Sequence, residues 1–380
     1  MATLVNVNGD HFSMGVQQGE DLKDTYDIFI DELFKSPLIT KIKPRFVPNF
    51  IVKFFFGLYG RLKIKKTLKT HVPNQFERIQ GMAKGFKASL NFLYALHFSE
   101  TLSGSTKVTM DFPDASCTQI FALPQATVDE IGYLGRNYDY PNELREYQIV
   151  RQEEPAEGLL KNISVTQTFL SGSHQGLNEK GLAIAFNYGR VWKEGDFDLS
   201  GVPSTLIVQE VLENISTTEE AVEFITKFPR RGNAGFYGLL DKNNNACVVE
   251  TTASTFSVRY PEEGVMAQTN LFTNLVDHNL PDHIVWNLPN MKRPYTQSPR
   301  ERYKRANELV IKTNGDISLE TIKSILRDHN NTTPSDDTIC THGEVGSTLA
   351  SIIIAPKTNL FLVTDQFPCQ ATYEKFKLNW

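Results

Sequence analysis

The chain has 380 residues, enough to bury a sizeable core in one or two domains. Its apolar fraction of 40% and charged fraction of 22% are typical of a soluble globular protein, and its net charge of -5 argues against general nucleic-acid binding. The N-terminus lacks the features of a secretory signal, and no stretch approaches the roughly 18 apolar residues of a spanning helix, so we expect a cytoplasmic protein.

The N-terminal part of the chain is predicted to be helical. Apolar side chains recur at helical spacing over 13–34, where Asp10 or Ser13 can cap the first turn, and again over 74–92. Between these helices, the segment 35–69 carries ten lysines and arginines, no acidic residue and many aromatic residues. Such a segment suits either a helical lid with a solvated basic face or peripheral contact with an anionic membrane.

From residue 117 onward, short apolar segments predict many strands. The candidate strands are 117–123, 131–137, 146–152, 162–169, 181–187, 234–240, 246–252, 255–260, 348–355 and 359–364. The candidate helices are 203–213, 217–227, 299–312 and 318–328. Strands and helices are grouped rather than alternating, which favours stacked layers over a doubly wound parallel sheet.

Cys117 begins the first of these strands. Pairing 117–123 with 131–137 as a hairpin would bring its thiol close to Arg136 and Asp139. A positive neighbour favours a thiolate, so Arg136 could activate the sulfur. If Cys117 became a new N-terminus, its own amine could serve as the base and Asp139 could hold that amine.

At this hairpin the chain resembles a known family. Cys-Thr at 117–118, followed by Gly-Arg-Asn-Tyr-Asp at 135–139, is similar to the N-terminal nucleophile hydrolases of the choloylglycine hydrolase superfamily. That superfamily includes penicillin V acylase, bile salt hydrolase, acid ceramidase and the N-acylethanolamine amidases. The isopenicillin N acyltransferase-like branch has the most similar layout, since its cysteine also lies well inside the precursor. The segments 14–20 and 77–85 resemble the pro-segment of that branch.

The resemblance implies roles for further residues. The segments 176–188, 266–272 and 298–305 are similar to family blocks that carry two oxyanion-hole asparagines and an active-site arginine. The residues implied are Asn187, Asn270 and, in preference to Arg300 or Arg305, Arg302; the cleavage site would be Ser116–Cys117, and Tyr138 would line the substrate pocket.

The resemblance also implies the architecture. We expect an α+β protein, a four-layer αββα sandwich of the N-terminal nucleophile hydrolase type with an N-terminal helical pro-segment. Residues 1–116 would form the pro-segment or small subunit, and residues 117–380 the catalytic domain or large subunit. The two fragments would stay associated after cleavage.

The predicted function is an autoproteolytically activated thiol amidase or acyltransferase. It would cleave a linear, non-peptide C–N amide bond of a small N-acyl substrate, which could be lipid-like, through an S-acyl intermediate on Cys117. Ordinary structural roles stay open: Arg136 and Asp139 as an ion pair, the asparagines as turn residues, and Arg302 as part of a solvated helix face.

Two alternative functions stay open as well. One is a catalytically silent member of the fold that binds a lipid surface or a protein partner. The other is a papain-type peptidase that pairs Cys117 with a histidine such as His278. No His-Glu-x-x-His is present, and Cys117, Cys247, Cys340 and Cys369 have no metal-ligand spacing. We therefore expect no metal, no cofactor, and three cysteines that are core thiols.

Overall fold

The computed structural model describes residues 3–40, 43–44, 46–103, 116–156, 158–285, 293–343, 346–378 and 380. Residues 41, 42 and 45 of the basic segment 35–69 therefore lie outside the described part. None of the described helices combines the length and the apolarity needed to cross a membrane.

The strands of the described residues form two sheets. They are β1 (Thr3–Gly9), β2 (Thr118–Ala122), β3 (Tyr133–Pro141), β4 (Gln148–Pro155), β5 (Asn162–Gln167), β6 (Gln175–Asn178), β7 (Leu182–Gly189), β8 (Ala234–Asp241), β9 (Ala246–Thr251), β10 (Phe256–Arg259), β11 (Val265–Gln268), β12 (Gly346–Ala355), β13 (Leu360–Thr364) and β14 (Glu374–Lys375). One sheet has eight strands in the order β1-β4-β5-β6-β7-β8-β9-β10, and the other has six in the order β11-β2-β3-β12-β13-β14. Neighbouring strands are antiparallel except for β1 and β4, which run parallel.

The helices lie on the outer faces of the sheets. They are α1 (His11–Asp21), α2 (Lys23–Lys35), α3 (Pro37–Thr40), α4 (Asn49–His71), α5 (Pro73–Gly85), α6 (Leu90–Ser103), α7 (Ser204–Asn214), α8 (Thr218–Lys227), α9 (Gln297–Lys312) and α10 (Leu319–Leu326).

Three apolar cores separate the four layers. The central core lies between the sheets and contains Phe121, Phe236 and Val363. A second core joins the eight-stranded sheet to α7, α8 and the N-terminal helices, and a third joins the six-stranded sheet to α9 and α10. The predicted four-layer αββα sandwich is confirmed. Strands with both faces covered are buried throughout, as β2 and β8 are, because sandwiches exclude water from both sides of each sheet.

The N-terminal helices were predicted in the right place but with wrong boundaries. The segment 13–34 is interrupted at Leu22, which separates α1 from α2, and the segment 74–92 breaks between α5 and α6 at Lys87, where φ is 54°. Asp10 caps α1 as expected, since its carboxylate accepts a 2.7 Å hydrogen bond from Ser13 N. No strand was predicted before residue 117, yet β1 forms the edge of the eight-stranded sheet.

Helices α1 and α5 cross at glycines, which explains the segments that resemble the pro-segment. A Cβ atom at Gly15 would lie 2.2 Å from Arg78 O, and one at Gly81 would lie 2.0 Å from Phe12 O. Only glycine permits this close backbone approach. The α1–α5 pair thus forms one tightly packed unit, which brings Arg78 of α5 under the eight-stranded sheet.

The hairpin predicted around Cys117 is confirmed. Strands β2 and β3 are antiparallel, with Thr118 opposite Asn137 and Gln119 opposite Arg136. Cys117 directly precedes β2, so the same register places it opposite Tyr138 and on the sheet face that carries Gln119 and Arg136. This face is directed towards the central core, and the opposite face is directed towards α9 and α10.

Candidate active site around Cys117

The thiol of Cys117, which directly precedes β2, is fully buried. Arg136 Nη2 donates a hydrogen bond to the sulfur at 3.1 Å, as the hairpin predicted. The other bonds of this guanidinium go to neutral oxygens: Gln175 Oε1 at 2.6 Å, Asn187 Oδ1 at 3.1 Å and the carbonyl of Phe186. Its positive charge is therefore directed at the thiol.

Arg136 does not by itself make the sulfur a thiolate. Burial raises the pKa of the Cys117 thiol above its usual value, and this effect exceeds the opposing influence of Arg136. The sulfur therefore carries its proton near neutral pH, and a separate base is needed to remove that proton during attack.

Asp139 lies on the opposite face of β3 from Arg136. Its carboxylate accepts hydrogen bonds from Thr348 Oγ1 at 2.6 Å and Thr341 Oγ1 at 3.0 Å, and its carbonyl oxygen is 3.8 Å from Cys117 Sγ. Burial raises the pKa of this carboxyl to about 6, although Arg302 and the two threonines oppose the shift. The backbone of Asp139 thus lies beside the Cys117 sulfur, and its carboxyl, which the two threonines hold, has a pKa of about 6.

Two donors converge on the carbonyl oxygen of Cys117. Arg302 Nη1 lies 2.8 Å from it and Asn187 Nδ2 lies 3.3 Å from it. Asn187 is oriented by Gln119, whose Nε2 donates to Asn187 Oδ1 at 2.9 Å. The amide of Asn187 is therefore held by neighbours on both of its ends.

Asn270 is connected to the same group through Arg302. Arg302 Nη2 donates to Asn270 Oδ1 at 3.1 Å, and Asn270 Nδ2 donates to Tyr188 O at 2.9 Å. Arg302 lies on α9, is fully buried, and also contacts Thr118 Oγ1 at 2.9 Å. The structure thus brings all the sequence-predicted polar residues of the site together.

The choice among the three arginines of α9 follows from which face of the helix each occupies. Arg300 pairs with Asp282 at 2.8 Å and is about half exposed, and Arg305 pairs with Asp328 at 2.9 Å. Only Arg302 of these three contacts Cys117 in the described structure. The alternative of a solvated helix face applies to Arg300 but not to Arg302, which is fully buried.

Tyr138 is buried beside Cys117 rather than exposed in a cleft. The Arg136 guanidinium lies 4.9 Å from the centre of its ring, and its hydroxyl lies 3.2 Å from His174 Nε2. The expectation that Tyr138 lines the substrate pocket stays a prediction. His174, by contrast, was not singled out, and burial lowers the pKa of its imidazole well below the usual value.

His278 does not support a papain-type pair. Its Nδ1 lies 2.9 Å from a carboxylate oxygen of Asp196, and its ring packs against Phe272. The described contacts of Cys117 include Arg136, Asn187 and Arg302, and no imidazole.

An open cleft of about 710 Å³, a volume suited to a small organic ligand, lies between the segment that follows Asn270 and the first turns of α9. Its wall includes Leu271, which follows Asn270, and Arg300 and Tyr303, which flank Arg302 along α9. Cys117 is not part of this wall.

Several polar residues of the site were not predicted. Gln119 and Gln175 orient Asn187 and Arg136, and Thr341 and Thr348 hold Asp139. Only Gln119 had a signal in the sequence, because the hairpin register pairs it with Arg136. The two threonines belong to segments more than 200 residues away in the chain.

Another group of side chains that sequence spacing did not reveal could hold a metal ion. His329, Cys340, His342 and Cys369 offer ligand atoms that all lie within 4.8 Å of one another. All four cysteines are free, and Cys247 and Cys340 are buried while Cys369 is partly buried.

Solved structures with a similar arrangement include three enzymes. An N-acylethanolamine-hydrolyzing acid amidase ortholog from Caenorhabditis elegans is 16% identical with a TM-score of 0.46, covering 63% of this chain and 93% of its own. A conjugated bile acid hydrolase variant from Clostridium perfringens is 15% identical with a TM-score of 0.43, covering 69% and 97%. Penicillin V acylase from Agrobacterium tumefaciens is 16% identical with a TM-score of 0.43, covering 68% and 84%.

The sequence profile of the acyl-coenzyme A:6-aminopenicillanic acid acyl-transferases matches residues 127–363, which is more than half of the chain. The match begins after Cys117 and includes Arg136, Asp139, Asn187 and Arg302. It confirms the resemblance to the isopenicillin N acyltransferase-like branch and the predicted class of enzyme, an acyltransferase or a hydrolase of linear amides. The chain belongs to the acyl-coenzyme A:6-aminopenicillanic acid acyl-transferase family.

Proposed function

We propose that this chain is a self-processing thiol enzyme. It cuts its own Ser116–Cys117 bond and then transfers an acyl group from a small N-acyl amide to water or to an amine. The observation that carries this proposal is the surrounding of Cys117, with Arg136 3.1 Å from its sulfur and Arg302 and Asn187 on its carbonyl oxygen. A buried structural thiol has no need of two buried guanidinium groups.

Self-cleavage needs only the groups of the chain and one water molecule. The Cys117 sulfur attacks the carbonyl carbon of Ser116, the C–N bond breaks, and the proton of the thiol passes to the departing nitrogen. Water then hydrolyses the resulting thioester, which leaves a carboxylate on Ser116 and a free amine and thiol on Cys117. Cleavage also creates a chain end at the buried sulfur, and movement of this end is proposed to give a substrate access to it.

The freed amine supplies the base that the site otherwise lacks. An unperturbed α-amine has a pKa of about 7.7–8.0, which suits proton transfer near neutral pH. The amine takes the thiol proton as sulfur attacks the substrate carbonyl, and returns it to the leaving amine as the S-acyl bond forms. Water or an acceptor amine then attacks the S-acyl group, and the amine of Cys117 carries the proton again. Asp139 beside Cys117 is proposed to hold this amine.

Asn187 and Asn270 are proposed to stabilise the oxyanion. The Asn187 amide already donates to a carbonyl oxygen at Cys117, and Asn270 is oriented by Arg302. Donors that are positioned before the reaction need no reorganisation, and each contributes on the order of 3 kcal/mol to lowering the barrier.

The proposed substrate is a small N-acyl amide with an apolar, lipid-like acyl group. The similar solved structures bear the names of enzymes for N-acylethanolamines, conjugated bile acids and penicillin V. The cleft beside Asn270 carries apolar side chains, among them Leu271, Phe272 and Leu280. After cleavage, the N-terminal fragment is proposed to stay bound, because β1 and the N-terminal helices share one core with the eight-stranded sheet.

Helix α4 favours peripheral membrane contact over a plain lid. Its side chains at Phe50, Phe54 and Phe55 are 62–70% exposed, and Leu62 is 73% exposed, among lysines that can meet anionic lipid. The predicted cytoplasmic location would place it against an anionic leaflet. Such contact would deliver a lipid-like substrate to the enzyme.

Vesicle co-sedimentation tests this surface. The chain should bind phosphatidylserine-containing vesicles more than pure phosphatidylcholine vesicles, and the double substitution Phe54→Ser/Phe55→Ser should weaken binding by about tenfold. Phe256→Ser, which removes an exposed phenylalanine from β10, is the matched control. Equal binding by all three proteins would leave the lid as the better interpretation.

Mass spectrometry of the purified protein tests self-processing. We expect fragments of 116 and 264 residues, the larger beginning with Cys117. Cys117→Ala should remain one intact chain, whereas Cys247→Ala, which removes another buried thiol, should be cut normally. An intact wild-type chain that does not react with thiol-directed acyl probes would instead favour the catalytically silent lipid- or partner-binding module.

A panel of N-acyl amides then identifies the substrate. Comparing hydrolysis with transfer to added amines separates an amidase from an acyltransferase. Asn270→Ala should reduce turnover strongly in either case, whereas a papain-type peptidase would keep most of its activity.

A further inference from the structure

Four side chains that the proposed reaction does not use form a compact group, which we call the His/Cys cluster: His329, Cys340, His342 and Cys369. Cys340 and His342 lie in the loop before β12, His329 lies shortly after α10, and Cys369 lies between β13 and β14. The cluster therefore joins three chain segments that no strand pairing connects at this point.

The spacing of the ligand atoms suits a tetrahedral metal ion. His342 Nε2 lies 3.4 Å from Cys340 Sγ and 3.4 Å from Cys369 Sγ, and all four ligand atoms lie within 4.8 Å of one another. Zinc bonds of about 2.3 Å to sulfur and about 2.0–2.1 Å to nitrogen place neighbouring ligand atoms roughly 3.5 Å apart. The 3.4 Å separations already fit, and the widest separation, up to 4.8 Å, would have to contract by about an ångström to close the site.

The two imidazoles of the cluster have features that suit metal binding. His329 Nε2 is buried and has no hydrogen-bond partner among the described residues, which is costly for a polar atom. The ring of His342 is stacked on Phe367 with 3.9 Å between the ring centres, so its orientation is fixed. A bound cation would give His329 Nε2 a partner. It could also bind the ring of His342 in the orientation that the structure shows.

We infer that the His/Cys cluster is a structural zinc site closed by four protein ligands. Two thiolates and two imidazoles are a usual ligand set for Zn²⁺, and their two negative charges neutralise the ion. With all four positions taken by protein, the ion has no open position for substrate. Its effect is to fasten the loop before β12 to the C-terminal segment.

The site is also connected to Cys117 through one residue. Thr341 lies between the ligands Cys340 and His342, and its hydroxyl donates to Asp139 Oδ2 at 3.0 Å. Because a bound ion would hold Cys340 and His342 in place, it would also hold the hydroxyl of Thr341. The ion would therefore help to position the carboxylate of Asp139. This consequence rests on the proposed role of Asp139, whereas the zinc site itself does not depend on self-cleavage.

Elemental analysis of the full-length protein, purified under reducing conditions from zinc-supplemented medium, tests the site. We expect about one zinc ion per chain. Cys340→Ala and Cys369→Ala should lose it, whereas Cys247→Ala, a buried thiol of β9, and Cys117→Ala, which blocks the proposed processing, should both retain it. Retention by Cys117→Ala separates failure of this inference from failure of the proposed function.

Three further measurements do not depend on the folding of the variants. Zinc chloride added to chelator-treated wild-type protein should protect Cys340 and Cys369 from alkylation and leave the labelling of Cys247 unchanged. Cobalt in place of zinc should give the intense visible absorption of a tetrahedral thiolate site. Chelation should also lower the Tm of the wild type, since an ion bound only to the native state stabilises it.

Three results would overturn the inference. One is zinc-free wild-type protein whose chelator-treated form takes up no added zinc. Another is equal zinc affinity in the wild type and in Cys369→Ala. The third is a disulfide between Cys340 and Cys369 in freshly purified protein kept without reductant, since oxidised sulfurs cannot serve as thiolate ligands.

Discussion

Arg78 and Arg151 are as deeply buried as Arg136 and Arg302. The first two arginines form ion pairs with a carboxylate, whereas Arg136 and Arg302 contact Cys117. Arg78 Nη1 and Arg151 Nε lie 2.9 Å and 2.5 Å from the carboxylate of Glu153. Although burial opposes ionisation, the two arginines hold the pKa of Glu153 at about 2. Arg136 and Arg302 instead donate to a thiol, to carbonyl groups and to amide oxygens.

Arg78 and Arg151 therefore belong to a structural ion-pair network, whereas Arg136 and Arg302 belong to the candidate active site. In the first pair, both guanidinium groups share the carboxylate of Glu153, and Arg78 Nη1 also lies 3.8 Å from Glu213, so ion pairs fasten helix α5 to β4 of the eight-stranded sheet. In the second, burial outweighs the influence of the two arginines and raises the pKa of the Asp139 carboxyl to about 6. The charge of Arg136, which lies beside the thiol, is available to stabilise negative charge that develops there during a reaction.

The largest expected effect is that of removing the sulfur. Cys117→Ser should slow self-cleavage and lower kcat/KM by about 10³-fold or more, because oxygen is the poorer nucleophile here. Fragment analysis by mass spectrometry and assays on a responsive N-acyl amide measure both. Cys247→Ser is the control for loss of a buried thiol. Normal processing and turnover in Cys117→Ser would rule out the proposed mechanism.

Removing one arginine of the Arg78–Arg151 pair should affect the stability of the protein. Arg78→Met leaves Glu153 short of a partner and should lower the free energy of unfolding by about 3–5 kcal/mol. Turnover per folded molecule should stay close to that of the wild type. Urea unfolding and active-site titration measure the two quantities. A variant as stable as the wild type would show that the buried network does not hold the N-terminal helices.

The same arginine-to-methionine substitution at the candidate active site should affect catalysis. Arg136→Met should lower kcat by about 10²–10³-fold, because a buried positive charge beside the reacting sulfur is lost. Its free energy of unfolding should fall by less than that of Arg78→Met, since the lost partners are neutral. If Arg136→Met loses mainly stability, the distinction between the pairs is wrong.

Asp139 should limit activity at low pH. Its folded-state pKa of about 6 lies above the usual 3.8, so the carboxylate that would hold the amine is lost below about pH 6. Processing and turnover should then fall by roughly tenfold per pH unit. Asp139→Asn should be less active at every pH and should lose this acid limb. An acid limb that persists in Asp139→Asn would assign it to another group.

The stability contribution of Asp139 has the opposite sign. Because its pKa is raised on folding, the protonated carboxyl stabilises the protein below about pH 4, and this contribution is lost as pH rises through about 6. Asp139→Asn should therefore flatten the pH dependence of unfolding across that window, as urea titrations can measure. A steeper dependence in the variant would contradict the raised pKa.

The smallest expected effect is that of a hydroxyl that supports Asp139. Thr341→Val removes one donor to the carboxylate, so the pKa of Asp139 should rise further and the acid limb should move to higher pH. Activity near neutrality should fall by about tenfold or less, in keeping with a hydrogen bond of about 1 kcal/mol. Thr166→Val, which removes a buried hydroxyl bonded to Gly172 O, is the control and should leave the pH profile unchanged.

Local pattern accounts for much of what was predicted correctly. The hairpin of β2 and β3 follows from two short apolar segments around a turn, and its register alone places Arg136 near Cys117. The same reasoning located α7 to α10 within a few residues. Strand β1 was missed because an edge strand with half of its side chains exposed has a weak pattern.

Contacts between distant segments could not be predicted in this way. Arg302 was one of three arginines on α9, and only the packing of that helix against the six-stranded sheet buries Arg302 rather than its neighbours. The His/Cys cluster collects ligands from three segments whose spacing in the chain resembles no metal motif. The expectation of no metal was therefore limited to ligands close in sequence.

The sequence by itself determined most of the segments that become strands and helices, and it marked Cys117 as the candidate nucleophile. Periodicity and turn residues act over a few residues, so the chain order suffices to interpret them. Only the tertiary structure decided which buried arginines pair with a carboxylate and which contact Cys117. Burial sets both the pKa of Asp139 and the charge balance around Cys117, and burial is a property of packed layers rather than of neighbours along the chain.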